Sequence, residues 1–163
     1  MRKEIALTNI RKAHAYANKL VADIPAEKWF EIPGGNFSNI AWQYAHIAVS
    51  DYRLCLLRVR GEMPGDKDVI PPDFVELFAK GSTPGNDKYA PAELKEVMKK
   101  VTKEIEAEAA LWSDELLEQP SKGATHPMFH SCIEALEYSA MHDFLHCGQL
   151  GVLRRQLGFS SLG

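Results

Sequence analysis

The sequence predicts an all-α protein, a four-helix bundle of up-down-down-up connectivity. Four long segments repeat apolar residues at helical spacing, and no segment of any length alternates as a strand would. Between the second and third of them lies a connection of roughly thirty residues rich in proline and glycine, longer than compact bundles use between neighbours. A crossover of that length can span the bundle and leave the second and third helices parallel.

The first helix is expected over Lys3 to Ala22, where Ala6, Ile10, Ala13, Ala17 and Leu20 form one stripe and Pro25 marks the end. The second runs from about Asn39 to Arg60, with Ala45, Val49, Tyr52, Leu56 and Val59 on one side. Ser38 or Asn39 caps it and Gly61 stops it. Inside the crossover, Pro72 to Phe78 reads as a short apolar helix that covers an end of the bundle. The third helix opens at Pro91, a favoured first helical residue, and continues to about Glu118, before Pro120, on a stripe of Leu94, Val97, Val101, Ile105, Ala109 and Trp112. The fourth opens with Ser131-Cys132-Ile133-Glu134, a capping box, and continues to Gly158. With no internal repeat or low-complexity linker, residues 1–163 are expected to form a single domain.

Bulk properties narrow the function. A chain of 163 residues, 45% hydrophobic and 25% charged, can bury one sizeable core. A net charge of -3 provides no basic field for a phosphate backbone, so no nucleic-acid partner is expected. The amino-terminal MRKEIALTNIRKAHAYANKL breaks its apolar positions with charges, unlike a secretory or membrane segment. A soluble, cytoplasmic protein with no membrane partner is the expectation. Cys55, Cys132 and Cys147 form no CxxC pair and read as reduced core thiols.

The chemistry-bearing stretch is MHDFLHCGQ, residues 141–149, where His142 and His146 lie four apart in an apolar run. On a helix they share one face, about 40° apart and roughly 6 Å along the axis, which suits two ligands of one ion. Apolar residues wrap most of this helix, so both rings are expected to face protein and little of the helix to face solvent. On spacing alone, a pair of hydrogen-bonded core histidines is an equally good reading. A metal needs a third ligand. His126 and His130 lie too far back along the axis and belong to the bundle end, whereas His14 and His46 both fall near the height of the pair. Periodicity does not separate these two.

The segment NIAWQYAHIAVSDYRL, followed far downstream by HDFLHCGQLGVLRRQLG, resembles the DinB-like (DinB/YfiT-like) superfamily of bacterial four-helix-bundle metalloproteins over nearly the whole chain. The resemblance implies a divalent ion held by one histidine on the second helix and two at HxxxH spacing on the fourth, positions occupied here by His46, His142 and His146. It implies as activity either a transferase or isomerase that uses a low-molecular-weight thiol as co-substrate, or a metal-dependent hydrolase. Three neutral imidazoles suit Zn²⁺ or Ni²⁺ and leave coordination positions open, as a reactive site requires. A thiol S-transferase acting on a small-molecule substrate is the leading expectation. A hydrolase, or a non-catalytic metal- or ligand-binding bundle, is the alternative.

Neighbouring residues have plainer readings beside their functional ones. Asp143 follows His142 as Glu does in HExxH, but its shorter side chain makes a solvated helix charge the better expectation. Gln149 is the expected polar contact to a bound ligand, with Gln43 a weaker parallel. Trp42, Tyr138 and Phe144 are expected in the core. Arg53, Arg154 and Arg155 can steer an anionic thiol or carboxylate, although solvated faces are the usual place for such residues. Ala140, Cys147 and Gly151 would permit close packing of another helix, of the same chain or of a second copy, so a homodimer is among the assemblies the sequence allows.

Overall fold

Side-chain caps and positive-φ glycines set the ends of the helices that carry the site. The structure, a computed structural model, describes residues 1–35, 37–85 and 87–162. Its α-helices are α1 (Arg2–Val21), α2 (Ile40–Asp51), α3 (Asp66–Val69), α4 (Pro72–Phe78), α5 (Pro91–Ala109), α6 (Asp114–Leu117) and α7 (Cys132–Gln156), with a 3-10 turn over Ala26–Lys28. Among the described residues the fold is all-α; extended pairing is confined to two isolated bridges in the loop before α7.

Asn39 caps α2, its side-chain oxygen accepting from the Trp42 N–H at 2.8 Å. Ser131 and Glu134 close a capping box on α7, the Ser131 hydroxyl accepting from Glu134 N–H at 3.3 Å and the Glu134 carboxylate from Ser131 N–H at 3.1 Å. Gly61 and Gly158 follow the second and fourth helical segments with φ of 85° and 90°, the left-handed geometry that ends a helix at little cost only for glycine.

Two segments depart from the expected pattern. The third helix stops at Ala109, not near Glu118, and Ser113 begins α6 by accepting from Leu116 N–H at 3.2 Å. The cap signal of Ser113 with Asp114 and Glu115 overrides the stripe that Trp112 would have continued. After Asp51, α2 widens into a π-helical stretch, Tyr52–Leu57, and Arg58 N–H reaches back five residues to Arg53 C=O at 3.1 Å.

Helix α1 packs along α7, while α2 packs against both α5 and α7. The small residues of α7 receive α1 of the same chain: the Cys147 thiol donates to Ala13 C=O at 3.4 Å, and a Cβ on Gly151 would stand 3.9 Å from Leu20. The remaining face of α7 is not covered as expected, with Met141, Phe144 and Leu145 being 58%, 43% and 61% exposed. Phe144 is therefore not a core residue. The three cysteines are buried and free. Among the described residues no helix is long and apolar enough to cross a membrane.

The connection between α2 and α5 carries packed residues of its own. Phe74 and Phe78 of α4 are buried, α4 packs on α2, and the Trp42 indole N–H donates to Ser82 Oγ at 2.9 Å. This fixes the Phe78 carbonyl and the Lys80 side chain on the side of α2 that carries His46.

Candidate metal centre

Two separate clusters of buried and half-buried ligand-type side chains result from this packing, and they divide His46 from His14. In the first, ring nitrogens of His46, His142 and His146 all lie within 4.8 Å of one another; in the second, the same holds for His14, Asp51 and Asp143. His46 thus joins the HxxxH pair, and His14 at similar height is turned elsewhere.

The protein's own hydrogen bonds settle the orientation of two imidazoles. Nδ1 of His46 lies 2.7 Å from the Phe78 carbonyl, which can only accept, so Nδ1 carries the proton and Nε2 presents its lone pair. Nδ1 of His146 lies 2.6 Å from Gln43 Oε1, which fixes the same tautomer there. Nε2 of His146 and Nε2 of His142 face each other at 3.2 Å. Two nitrogens bound to one tetrahedral ion at about 2.0–2.1 Å would stand about 3.3–3.4 Å apart, so the pair is already spaced as co-ligands. Nδ1 of His142 is buried with no hydrogen-bond partner among the described residues. Ser50 Oγ lies 3.3 Å from His46 Nε2, and the Trp42 ring stacks on His46 with centroids 4.6 Å apart and planes at 9°.

Burial first, and the neighbouring histidine charges second, push the His142 imidazole down to about 4 and that of His146 to about 3. Burial also lowers His46. All three rings are therefore neutral near pH 7, the state in which imidazole can bind a metal. The residues fit a divalent ion on three counts: converging Nε2 atoms, tautomers locked by Phe78 and Gln43, and an open side. That side is a pocket of about 440 Å³ lined by the histidines and by Trp42, Ser50, Leu54 and Tyr138.

Gln149 is exposed and lies outside the lining of this pocket. The amide that reaches an imidazole is Gln43, one turn before His46 and buried. Trp42 and Tyr138 line the pocket instead of filling the core, and His126, expected at the bundle end, stands at its wall. Arg53 lines the pocket as well. Arg154 is buried at the far end of α7, its guanidinium donating to Asp23 Oδ2 at 2.7 Å. Gln43→Leu should weaken metal affinity by about 10- to 100-fold with little change in fold, because it removes the acceptor that orients His146. Gln43→Glu, which keeps an acceptor there, should retain most of the affinity; competition with a chelator measures both.

The second cluster is closed to solvent. His14 Nδ1 lies 3.0 Å from Thr102 Oγ1, whose own hydrogen goes to Met98 C=O at 2.8 Å, so Nδ1 is the donor. Nε2 then faces Asp51 Oδ2 at 2.5 Å, and Ser139 donates to Asp51 Oδ1 at 2.6 Å. Burial alone would lower the His14 pKa, but the Asp51 and Asp143 carboxyls outweigh it and raise it to about 10. Asp143 is not the solvated charge its sequence position suggests: it is fully buried, and neither of its oxygens has a hydrogen-bond partner among the described residues. His14 Nε2 is 3.6 Å away, beyond hydrogen-bond range. Burial first, and the Asp51 charge next, push the Asp143 carboxyl above the usual carboxylate range, while His14 beside it acts the other way.

A family model described as the DinB superfamily matches residues 9–150, a span containing His14, Asp51 and all three histidines of the open pocket. No curated protein matches the chain.

Proposed function

The chain belongs to the DinB superfamily, and on that premise we propose that it is a divalent-metal protein whose ion is held by His46, His142 and His146 and which transfers a low-molecular-weight thiol to a small electrophile. The reading carries the up-down-down-up connectivity with it, the ion joining the second long helix to the fourth. The observation that carries it is the convergence of three neutral imidazoles, two of them locked in orientation by hydrogen bonds, at the floor of an open pocket. Zn²⁺ and Ni²⁺ match that nitrogen set. A bound ion would supply Lewis acidity, which favours the thiolate form of a thiol or the hydroxide form of water near neutral pH.

The chain's own residues contribute the rest. Phe78 C=O and Gln43 Oε1 hold His46 and His146 in place. Trp42, Leu54 and Tyr138 form apolar walls that exclude water from one side of a bound molecule. One observation favours the thiol over the hydrolytic reading: no described carboxylate lines the pocket to act as general base toward water. A thiol, with an ordinary pKa of about 8.5, needs far less help to ionise.

The Co²⁺-loaded chain should develop a sulfur-to-metal charge-transfer band when a low-molecular-weight thiol is added, and the metal-loaded chain should accelerate coupling of that thiol to a chlorinated aromatic. His46→Ala should do neither. A spectrum unmoved by bacillithiol, mycothiol and glutathione alike would reject the transferase in favour of the hydrolase or a passive metal site.

A further inference from the structure

The wall of the pocket carries positive charge beyond what the three histidines need. Above the three histidines the pocket is lined by Arg53, Arg58 and Lys80, and by no described carboxylate, in a chain whose net charge is -3. Arg53 and Lys80 are exposed, and neither side chain makes a hydrogen bond or ion pair with another described residue. Arg58 is fixed: its guanidinium donates to Lys122 C=O at 2.7 Å and to Ala124 C=O, and lies over the Phe129 ring at 5.1 Å. These partners are neutral carbonyls and a ring, and Arg58 forms no ion pair with another described residue.

The π-helical stretch is the device that gathers them. In a continuous α-helix, residues five apart point about 140° away from each other, so Arg53 and Arg58 would not share a face. The five-residue hydrogen bond from Arg58 N–H to Arg53 C=O underwinds the helix and turns the two residues toward one side, and both line the pocket. Lys80 arrives from the opposite rim because α4 is packed on α2. Positive charge concentrated on a concave wall without opposing carboxylates attracts anions more than the same charges would on a flat surface. Burial, Arg58 and Lys80 together also lower the pKa of His126 on the same wall.

We infer that this pocket selects small organic anions, carboxylates or phosphate esters, with Arg53 and Lys80 as the groups that recognise the anion and Arg58 as a fixed charge behind them. Guanidinium takes either group as a pair of charge-assisted hydrogen bonds. The inference rests on the reading above only in placing the reacting atom over the histidines; the anion preference belongs to the wall alone.

The experiment is an NMR titration of the full chain, metal-free and metal-loaded, with mercaptosuccinate, glycerol 3-phosphate and the neutral monothioglycerol. In the metal-free chain both anions should shift signals of Arg53, Lys80 and Tyr138, with affinities at least ten-fold above that of monothioglycerol and falling with added salt. In R53Q/K80Q the anion affinities should fall at least five-fold, while metal content and melting temperature stay as in the wild type. Whichever anion binds more tightly identifies the preferred headgroup. Equal binding of neutral and anionic probes, or an anion preference that survives R53Q/K80Q, would overturn the inference. Failure of the chain to hold a metal would sink the function proposed above and leave this metal-free comparison intact.

Discussion

Purified without chelator, the wild-type chain should carry about one divalent ion, and His142→Ala, His146→Ala and His46→Ala should each carry almost none. Removing a group that merely orients a ligand costs about 10- to 100-fold in affinity, so removing a ligand itself should cost at least the upper end of that range. The three positions are not equivalent in their surroundings. His46 and His146 are pinned by Phe78 and Gln43, whereas His142 has no partner at Nδ1 and is held by packing alone. A ring so placed has least to lose in the metal-free state. Substitution of His14, which faces Asp51, should leave metal content unchanged. Metal analysis by mass spectrometry checks all four, and retention of stoichiometric metal in His142→Ala would reject the site.

Asp51→Ala should destabilise the chain by about 3–5 kcal/mol at neutral pH, the usual consequence of removing one partner of a buried ion pair. Asp51 is fully buried, accepts from Ser139 of α7 and faces His14 of α1, so its loss loosens three helices together. The pH dependence has a defined sign. His14 titrates at about 10 in the folded chain against an ordinary 6.5, so the stability it adds is complete below about 6.5 and is lost as pH rises through about 10. The difference between wild type and Asp51→Ala should narrow over that window. Asp143→Asn keeps the shape of a buried side chain whose oxygens make no hydrogen bond with a described residue, and should cost less than Asp51→Ala. Urea unfolding at several pH values measures each; an Asp51→Ala chain as stable as wild type would show that the cluster is not an ion pair.

The legible and illegible parts of this molecule divide on physical grounds. The HxxxH pair, the caps at Asn39 and Ser131 and the stops at Gly61 and Gly158 depend on local spacing and local hydrogen bonds, which a sequence displays directly. The choice between His14 and His46 depends on helix rotation within the bundle, which periodicity fixes only coarsely, and both histidines are buried. Asp143 reads as a surface charge because its burial depends on His14 and Asp51 from two other helices. Gln43 and Gln149 are each close in sequence to a histidine of the proposed site; only packing shows that the first reaches His146 and the second faces solvent. The π-helical stretch carries no glycine or proline to announce it, and it is this stretch that sets the wall of the pocket.

The central claim is that the ion sits on His46, His142 and His146 and not in the closed His14, Asp51 and Asp143 cluster. An anomalous-difference map from crystals of the Zn²⁺-loaded chain, collected at the zinc absorption edge, tests it most directly. The account predicts one strong peak at about 2.0–2.1 Å from Nε2 of each of the three histidines. A peak between His14 and the two aspartates, or no protein-bound peak at all, would contradict it.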